Sequence, residues 1–283
     1  MVPLATTATV ATTAALNLNG GIVDLNGFSQ AIASLTQTNG NTLPGGAGTV
    51  TNTGTTATLY TIPSTATTTF LGTIAGNITL DKSGANNLVL TNADGRNANM
   101  TTNIRGGTLT LKDSGTVTNG GAFNVYNSTL TLDNAGYSAL SSRTGSSVIN
   151  LNGGTLTFAA RQGTDAMSIA GALNLVSGGS VITANLFGAS ATGTGSAVWT
   201  LASLNQSGTA TVNFTVGGGT LGGSVLGMNG LSPAASASNS QIIITSAPTL
   251  VNGIIGGWAV VGGTDFATYR STVDPVTGVM GVG

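Results

Sequence analysis

Hydrophobic and polar residues alternate along most of the chain, and the alternation is densest between residues 106 and 132. Leucine, valine or phenylalanine occupies every second position of four short runs, at 108–111, 116–118, 123–125 and 129–132. Side chains of a strand point alternately to opposite faces, so the apolar residues line one face and threonine or asparagine the other. The segments between the runs, KDSG, TNGG and YNS, are turn sequences. The stretch therefore predicts short strands joined by tight turns.

Similar phrases recur elsewhere in the chain. NLNGG occurs at 17–21 and 150–154, and GGTL occurs at 106–109, 153–156 and 218–221. Such self-similarity is typical of repeat architectures, in which insertions fall at the corners. The spacing varies from copy to copy, and we attribute this variation to corners of different length.

The pattern distinguishes between the β architectures. No helical period extends over a useful length, and the many glycine and β-branched residues disfavour helix. A closed barrel or a sandwich needs hairpins, whereas a parallel β-helix needs short strands, frequent corners and a similar phrase in each coil. The sequence predicts an all-β chain folded as a right-handed parallel β-helix, a solenoid with irregular corner loops. The residues expected to share one core are Leu109, Leu111, Leu130, Leu132, Leu151 and Leu156.

Corners and boundaries follow from turn-forming residues. Asn19-Gly20-Gly21 and Asn26-Gly27 are predicted corners, because asparagine and glycine adopt positive φ at little cost. We expect a polar loop at 36–48, a loop or a protruding edge at 63–69, and a strand at 241–245. The predicted division of the chain is 1–15 as a lead-in or edge strand, 16–240 as β-helix repeats, and 241–283 as a terminal coil or a cap or junction segment.

Composition supports a folded but weakly charged protein. Only 5% of residues are charged, against about 25% in an ordinary soluble domain, and 44 of 283 are glycine. Low charge is also found in disordered chains, but here 40% of residues are hydrophobic and regularly spaced. The net charge of −1 gives no basic footprint for nucleic acid and little repulsion between copies. No apolar run is long enough for a membrane-spanning helix.

Catalytic chemistry has few candidate residues. The chain has no Cys and no His, which excludes a thiol nucleophile, a Ser-His-Asp triad and a typical zinc site. We expect no cofactor, no metal and no enzymatic activity. The alternative is a carbohydrate-active β-helix enzyme, of the polysaccharide lyase or hydrolase type. In it Asp113 and Asp133 approach across adjacent coils, and Arg105, Lys112 or Arg161 assists. Each aspartate is otherwise explained as a turn residue.

Aromatic residues offer a second kind of site. Tyr126, Tyr137 and Trp199 are candidates for stacking on sugar rings, as in a carbohydrate-binding protein. Packing on or between strands explains the same residues without a ligand.

Several longer phrases are similar to a known family. They are LNLNGGIVDLNGFSQAIASL at 16–35, GTVTNTG at 48–54, the two GGTLT units, and IIGGWAVVGGTDFATY at 254–269. Together they resemble the passenger region of bacterial autotransporter-associated β-strand repeat proteins. The resemblance implies a parallel β-helix in a large secreted or surface-displayed protein, and hence an extracellular or cell-surface location. The chain shows neither that family's C-terminal membrane barrel nor a secretion signal, so we expect a mature form or a separately assembled portion.

We therefore expect a non-enzymatic structural or adhesive surface protein whose copies associate end to end into a filament. The end of a β-helix exposes strand edges, and a head-to-tail contact does not close on itself. Further expected partners are a surface polysaccharide or another cell surface. The competing explanation is that the ends continue into more β-helix within a longer chain. The candidate assembly residues are Leu16, Leu18, Ile22 and Leu25 in the first coil and Ile254, Trp258, Phe266 and Tyr269 in the last.

Overall fold

A computed structural model describes residues 14–37, 46–161, 164–186, 196–217, 220–221, 239–272 and 281–283. Strands and turns account for these residues, and none of them is helical. The first half of the chain contains β1 (Ala15–Asn17), β2 (Ile22–Asp24), β3 (Gln30–Ile32), β4 (Ser34–Thr36), β5 (Thr49–Thr51), β6 (Ala57–Thr61), β7 (Thr68–Phe70), β8 (Thr73–Gly76), β9 (Ile78–Lys82), β10 (Asn87–Leu90), β11 (Gly95–Arg96), β12 (Thr102–Ile104) and β13 (Thr108–Lys112).

The second half of the chain has longer strands. They are β14 (Phe123–Tyr126), β15 (Thr129–Asp133), β16 (Ile149–Asn152), β17 (Thr155–Ala160), β18 (Thr164–Ser177), β19 (Gly179–Leu186), β20 (Ser196–Gln206), β21 (Thr211–Gly217), β22 (Thr220–Leu221), β23 (Asn239–Ile244), β24 (Ala259–Val261), β25 (Asp265–Phe266), β26 (Tyr269–Arg270) and β27 (Gly281–Val282).

Most of these strands stack into three sheets, which are parallel apart from the β24–β25 pair, while β1 with β4 and β26 with β27 form two-strand sheets. The ten-strand sheet has the order β22-β23-β20-β18-β16-β14-β12-β9-β6-β3, the nine-strand sheet β25-β24-β21-β19-β17-β15-β13-β10-β7, and the four-strand sheet β11-β8-β5-β2. Successive coils contribute neighbouring strands to each sheet. The predicted all-β fold and the parallel β-helix are confirmed. The right-handed sense of the winding stays a prediction, made on the general preference of parallel crossovers.

The number of strands per coil changes along the molecule. The coils β7–β9 and β10–β12 each contribute a strand to all three sheets, but the four-strand sheet ends at β11 and continues as one isolated bridge between Ala93 and Thr116. The strand predicted at 116–118 is therefore wrong. Before residue 116 the chain makes a turn in which the Gly115 N–H donates to the carbonyl of Lys112 (2.7 Å), and after residue 117 it makes the TNGG turn. The segment between the two turns is too short for a ladder of strand hydrogen bonds. Val117 nevertheless faces the interior, 2% exposed.

Other local predictions have mixed outcomes. A strand predicted at 241–245 is present as β23. The loop or protruding edge predicted at 63–69 is wrong at its end, because Thr68–Phe70 forms β7 and buries the Phe70 ring in the core. Residues 38–45 of the predicted polar loop lie outside the described residues, and the three-part division of the chain stays a prediction.

The core is built from apolar columns that run along the molecule in register. On the nine-strand sheet, Leu109 pairs with Leu130 and Leu130 with Leu156, while Leu111 pairs with Leu132. Each coil thus covers the apolar face of the one before it. All six leucines predicted to share a core are fully buried in one cluster, as expected: Leu109, Leu111, Leu130, Leu132, Leu151 and Leu156.

The predicted asparagine and glycine corners are confirmed. Asn26 and Gly27 have φ of 50° and 85°, and Gly20 and Gly21 also have positive φ. Some corners additionally require glycine because coils stack backbone on backbone. At Gly107, with φ of 58°, a Cβ atom would lie 2.5 Å from the carbonyl oxygen of Asn86 in the preceding coil.

Three buried basic side chains stabilise other corners by donating hydrogen bonds to backbone carbonyls. The Lys82 ammonium donates to the carbonyls of Gly84 (3.0 Å), Asn86 (2.5 Å) and Gly106 (2.6 Å), so its three N–H donors are all used. Arg96 pairs with Asp94 at 2.9 Å, and Arg143 donates to carbonyls of two neighbouring loops. All three side chains are at most 6% exposed. Lys82 and Arg143 thereby hold turn and loop carbonyls together, while Arg96 joins Asp94 to the carbonyls of Ile78 and Thr101.

Leu130→Ala tests the register of the core. The side chain is fully buried between leucines of the adjacent coils, so its truncation leaves a cavity and lowers the free energy of unfolding by about 2–5 kcal/mol. Thr131→Ala, on the outer face of the same strand, is the control and should cost less than about 1 kcal/mol. Equal losses for the two variants in urea denaturation would contradict the inward assignment of Leu130.

Lys82→Met tests the buried ammonium. Burial lowers the pKa of Lys82 to about 8 from an ordinary 10.5, so between these pH values the unfolded chain binds more protons than the folded one. The wild type should therefore gain stability over the variant as pH rises through this window, by roughly 1 kcal/mol per pH unit. Below about pH 8 the difference in unfolding free energy between wild type and variant should not change with pH. A difference that stays constant from pH 7 to 10 would show that burial does not perturb Lys82.

Candidate functional site

The first coil presents a mixed surface. Leu18 and Leu25 are buried in the core, and Leu16 is partly buried against it. Ile22, in contrast, is 58% exposed and lies in β2, which forms one edge of the four-strand sheet. Of the four first-coil residues predicted as an assembly end, Ile22 is thus the one with a substantially exposed apolar side chain.

A carboxylate ties this first coil to the second. Asp24 accepts hydrogen bonds from the hydroxyl of Thr53 (2.6 Å), from the N–H of Thr53 (3.1 Å) and from the N–H of Asn26 (2.9 Å). The hydroxyl bond and the two N–H bonds lower the pKa of Asp24. The edge strand β2 is thereby fixed in place although one side of it has no strand neighbour among the described residues.

The last coil is finished by antiparallel pairs. Strand β25 pairs antiparallel with β24, and β27 with β26, in contrast to the parallel pairing of the stack. The Tyr269 hydroxyl donates to the carbonyl of Ile244 (2.7 Å) and accepts from the N–H of the same residue (2.9 Å). A side chain thus satisfies backbone groups of β23, and its burial raises the pKa of Tyr269.

The predicted residues of the last coil therefore separate into two groups. Tyr269 is buried and committed to Ile244, while Ile254 and Trp258 are partly buried. Phe266 is 50% exposed on β25, the edge strand of the nine-strand sheet. Leu250 and Val251 add exposed apolar surface in the segment before it. Phe266 is the counterpart of Ile22 at the opposite end of the stack.

The proposed catalytic carboxylates serve the backbone. Asp113 and Asp133 lie in adjacent coils, since Lys112 pairs with Asp133. The Asp113 carboxylate accepts from the N–H of Tyr137, and that of Asp133 accepts from the N–H of Ala135 (2.7 Å). Both carboxylates thus have a turn or loop N–H as partner, as expected of aspartates at corners.

The basic residues considered for catalysis are also engaged. Lys112 pairs with Asp133 at 3.5 Å, and Arg161 donates to the carbonyl of Gly136 (3.1 Å). The described residues contain no group of three or more Asp, Glu, His or Cys side chains placed to hold a metal ion. Within the same residues, no helix is long and apolar enough to cross a membrane.

Of the aromatic candidates, two are accessible. Trp199 is fully buried, with its ring centroid 5.9 Å from that of Phe158, and it cannot contact a sugar. Tyr137 is 71% exposed on the loop that follows β15, and Tyr126 is partly exposed on the ten-strand sheet. Tyr126 belongs to a larger cluster on that sheet.

The outer face of the ten-strand sheet carries a row of asparagines. From Asn124 onward, each side-chain amide donates to the amide oxygen of the asparagine in the preceding coil, at 2.8–2.9 Å, across sequence separations of 21, 26, 24 and 31 residues. We call this row the asparagine ladder, formed by Asn103, Asn124, Asn150, Asn174 and Asn205. This row of asparagines was not predicted from the sequence. Its signal was an asparagine next to apolar residues in successive strands, as in Phe123-Asn124-Val125.

The ladder ends at an ion pair flanked by tyrosines. Asp81 is the register partner of Asn103 on one side and of Tyr60 on the other. Arg105 Nε lies 2.8 Å from Asp81 Oδ2, which raises the pKa of Arg105, and its guanidinium carbon lies 4.7 Å from the centre of the Tyr126 ring. Tyr60, Asp81, Arg105 and Tyr126 are hereafter the ion-pair cluster.

Tyr269→Phe tests the closure of the last coil. The variant removes the hydroxyl that pairs with both backbone groups of Ile244, so local opening of β23 should become easier by about 1–3 kcal/mol. Amide hydrogen exchange should accelerate in residues 239–244 and stay unchanged in 129–133. Tyr137→Phe, at an exposed tyrosine, is the control. Unchanged exchange at 239–244 in Tyr269→Phe would show that the hydroxyl bonds to Ile244 do not stabilise β23.

Comparisons with known proteins add no relative to this picture. No protein-family model matches the chain, and no significant match was found among curated proteins or solved structures. Function therefore has to be inferred from the exposed edge strands at the two ends, and from the asparagine ladder and the ion-pair cluster on the side of the stack.

Proposed function

We propose that the chain is a non-enzymatic structural and adhesive protein of the cell surface whose copies associate end to end. The observation that carries the proposal is the pair of exposed apolar side chains on edge strands at opposite ends. Ile22 (58% exposed) lies on β2, and Phe266 (50% exposed) lies on β25. An edge strand presents unpaired N–H and C=O groups as well as side chains, and is a template for another chain.

The two ends differ, so contact between them is head to tail. Such a contact uses two different surfaces and does not close on itself, and it therefore propagates into a filament. The net charge of −1 opposes this association only weakly. Because Tyr269 is already bound to Ile244, the proposed contact at the last coil is made by Phe266 with Leu250 and Val251.

The extracellular location belongs to the same proposal. It is supported by the resemblance of the 16–35 and 254–269 phrases to autotransporter-associated β-strand repeat passengers, which are secreted or surface-displayed. The absence of cysteine in the sequence is compatible with an oxidising compartment. A stack held by in-register coils supplies the stiff shaft that a surface structure or adhesin needs.

Ile22→Lys and Phe266→Lys test the assembly. The purified wild type should sediment as concentration-dependent oligomers and form filaments in negative stain. Each variant places a charge on one proposed contact and should weaken association at least about tenfold, the effect of about 1.4 kcal/mol. Tyr137→Lys, at the most exposed aromatic of the flank, is the matched control and should assemble like the wild type.

Circular dichroism and thermal unfolding of all three variants establish that the fold is retained. A wild type that stays monomeric at high concentration would refute end-to-end association. So would variants at Ile22 and Phe266 that assemble as well as Tyr137→Lys.

A further inference from the structure

Arg105 is held in a fixed position at the surface, and its forked guanidinium group is partly exposed. Its Nε is fixed on Asp81 at 2.8 Å, and its guanidinium stacks over the Tyr126 ring at 4.7 Å. Its two η nitrogens have no hydrogen-bond partner among the described residues, and the side chain is 49% exposed. A guanidinium with a fixed plane and two free η amino groups matches the geometry of a carboxylate, which it binds through two parallel hydrogen bonds.

Five other basic residues of the chain do not offer this arrangement. The Lys112 ammonium is a point charge already paired with Asp133, and Arg161 uses its guanidinium on loop carbonyls. Lys82, Arg96 and Arg143 are buried in corners. Compared with these five residues, Arg105 combines a fixed orientation, an aromatic support and substantial exposure.

Groups suited to sugar surround this fork. Tyr60, 40% exposed, lies next to Asp81 on the neighbouring strand and presents an aromatic ring to the C–H face of a pyranose. The asparagine ladder continues from Asp81 along the stack. From Asn124 onward, each ladder amide uses one N–H on the preceding coil, which leaves a second N–H for hydroxyl groups outside. Its repeat of about 4.8 Å, set by strand spacing, is close to the advance of one sugar along a polysaccharide.

We propose that this face binds an acidic polysaccharide, with a uronate carboxylate on Arg105, a sugar ring on Tyr60 and neighbouring hydroxyls on the asparagine ladder. The ligand runs along the stack, across successive coils. The cluster has no net charge, since Asp81 balances Arg105, so recognition depends on the geometry of the fork more than on long-range attraction. The site lies on the side of the stack. Its biological meaning rests on the proposed adhesive role, but binding does not require assembly.

The test measures binding of the purified full chain to defined oligosaccharides by calorimetry. Probes are an oligogalacturonate and an oligomannuronate as acidic chains, a cello-oligosaccharide as the neutral chain, and monomeric galacturonate as the free carboxylate. We expect binding of an acidic oligosaccharide, with much weaker binding of the neutral chain and of the monomer. Raising the salt concentration should have a small effect, because one ion pair forms.

Variants of the fork decide the assignment. Arg105→Gln should weaken acidic-chain binding about tenfold or more, and Arg105→Lys, which keeps the charge but loses the fork, should weaken it nearly as much. Tyr60→Ala should lower affinity for the oligosaccharide. Arg161→Gln is the control for charge and should bind like the wild type. Thermal unfolding checks that each variant is folded.

Three results would overturn the proposal: no binding of any acidic oligosaccharide, equal affinity for the neutral chain, or Arg105→Gln binding like the wild type. Failure of this site is distinguishable from failure of end-to-end assembly, because the same samples can be sedimented. A protein that assembles but binds no acidic glycan would refute the glycan site alone. A monomer that binds would refute the assembly alone.

Discussion

The structure depends on the in-register stacking of one coil on the next. No single coil encloses a core, because the inward side chains of its strands are covered only by those of the neighbouring coils. The apolar columns through Leu109, Leu130 and Leu156 become a core only when neighbouring coils cover them. The parallel ladders and the side-chain columns therefore stabilise the same register, and a slip of one residue would turn leucines outward and threonines inward.

Polar groups keep that register outside the core. The asparagine ladder repeats one hydrogen bond from coil to coil on the ten-strand sheet, and Lys82, Arg96 and Arg143 bind backbone carbonyls of turns and of a neighbouring strand. A protein with 5% charged residues thus places several of its cations in its interior. Buried charges of this kind are tolerated because their donors are hydrogen-bonded, and removing them would leave loop carbonyls unpaired.

The sequence predicted the parts of the fold that depend on alternation, and it was less informative about everything that depends on which side of a coil a phrase occupies. The copies of GGTL at 106–109 and 153–156 both lead into strands of the nine-strand sheet, whereas the third copy leads into β22 of the ten-strand sheet. The two copies of NLNGG also lie on different sheets: the first begins at the last residue of β1, in a two-strand sheet, and the second begins within β16 of the ten-strand sheet. Periodicity reports the direction of a side chain relative to its strand, but the side of the coil depends on the length and direction of corners. For the same reason the ion-pair cluster was invisible, since Tyr60, Asp81 and Arg105 meet only through the register of three coils.

The asparagine ladder has a consequence for how such a chain can change in evolution. Its members are separated by as few as 21 and as many as 31 residues, yet the side-chain bond keeps nearly the same length throughout. The differences in coil length are therefore absorbed outside the ladder positions, in the corners and in the bulge of β18 between Ile169 and Ala172. A change of length at a corner that carries no buried cation therefore leaves the column of paired asparagines intact.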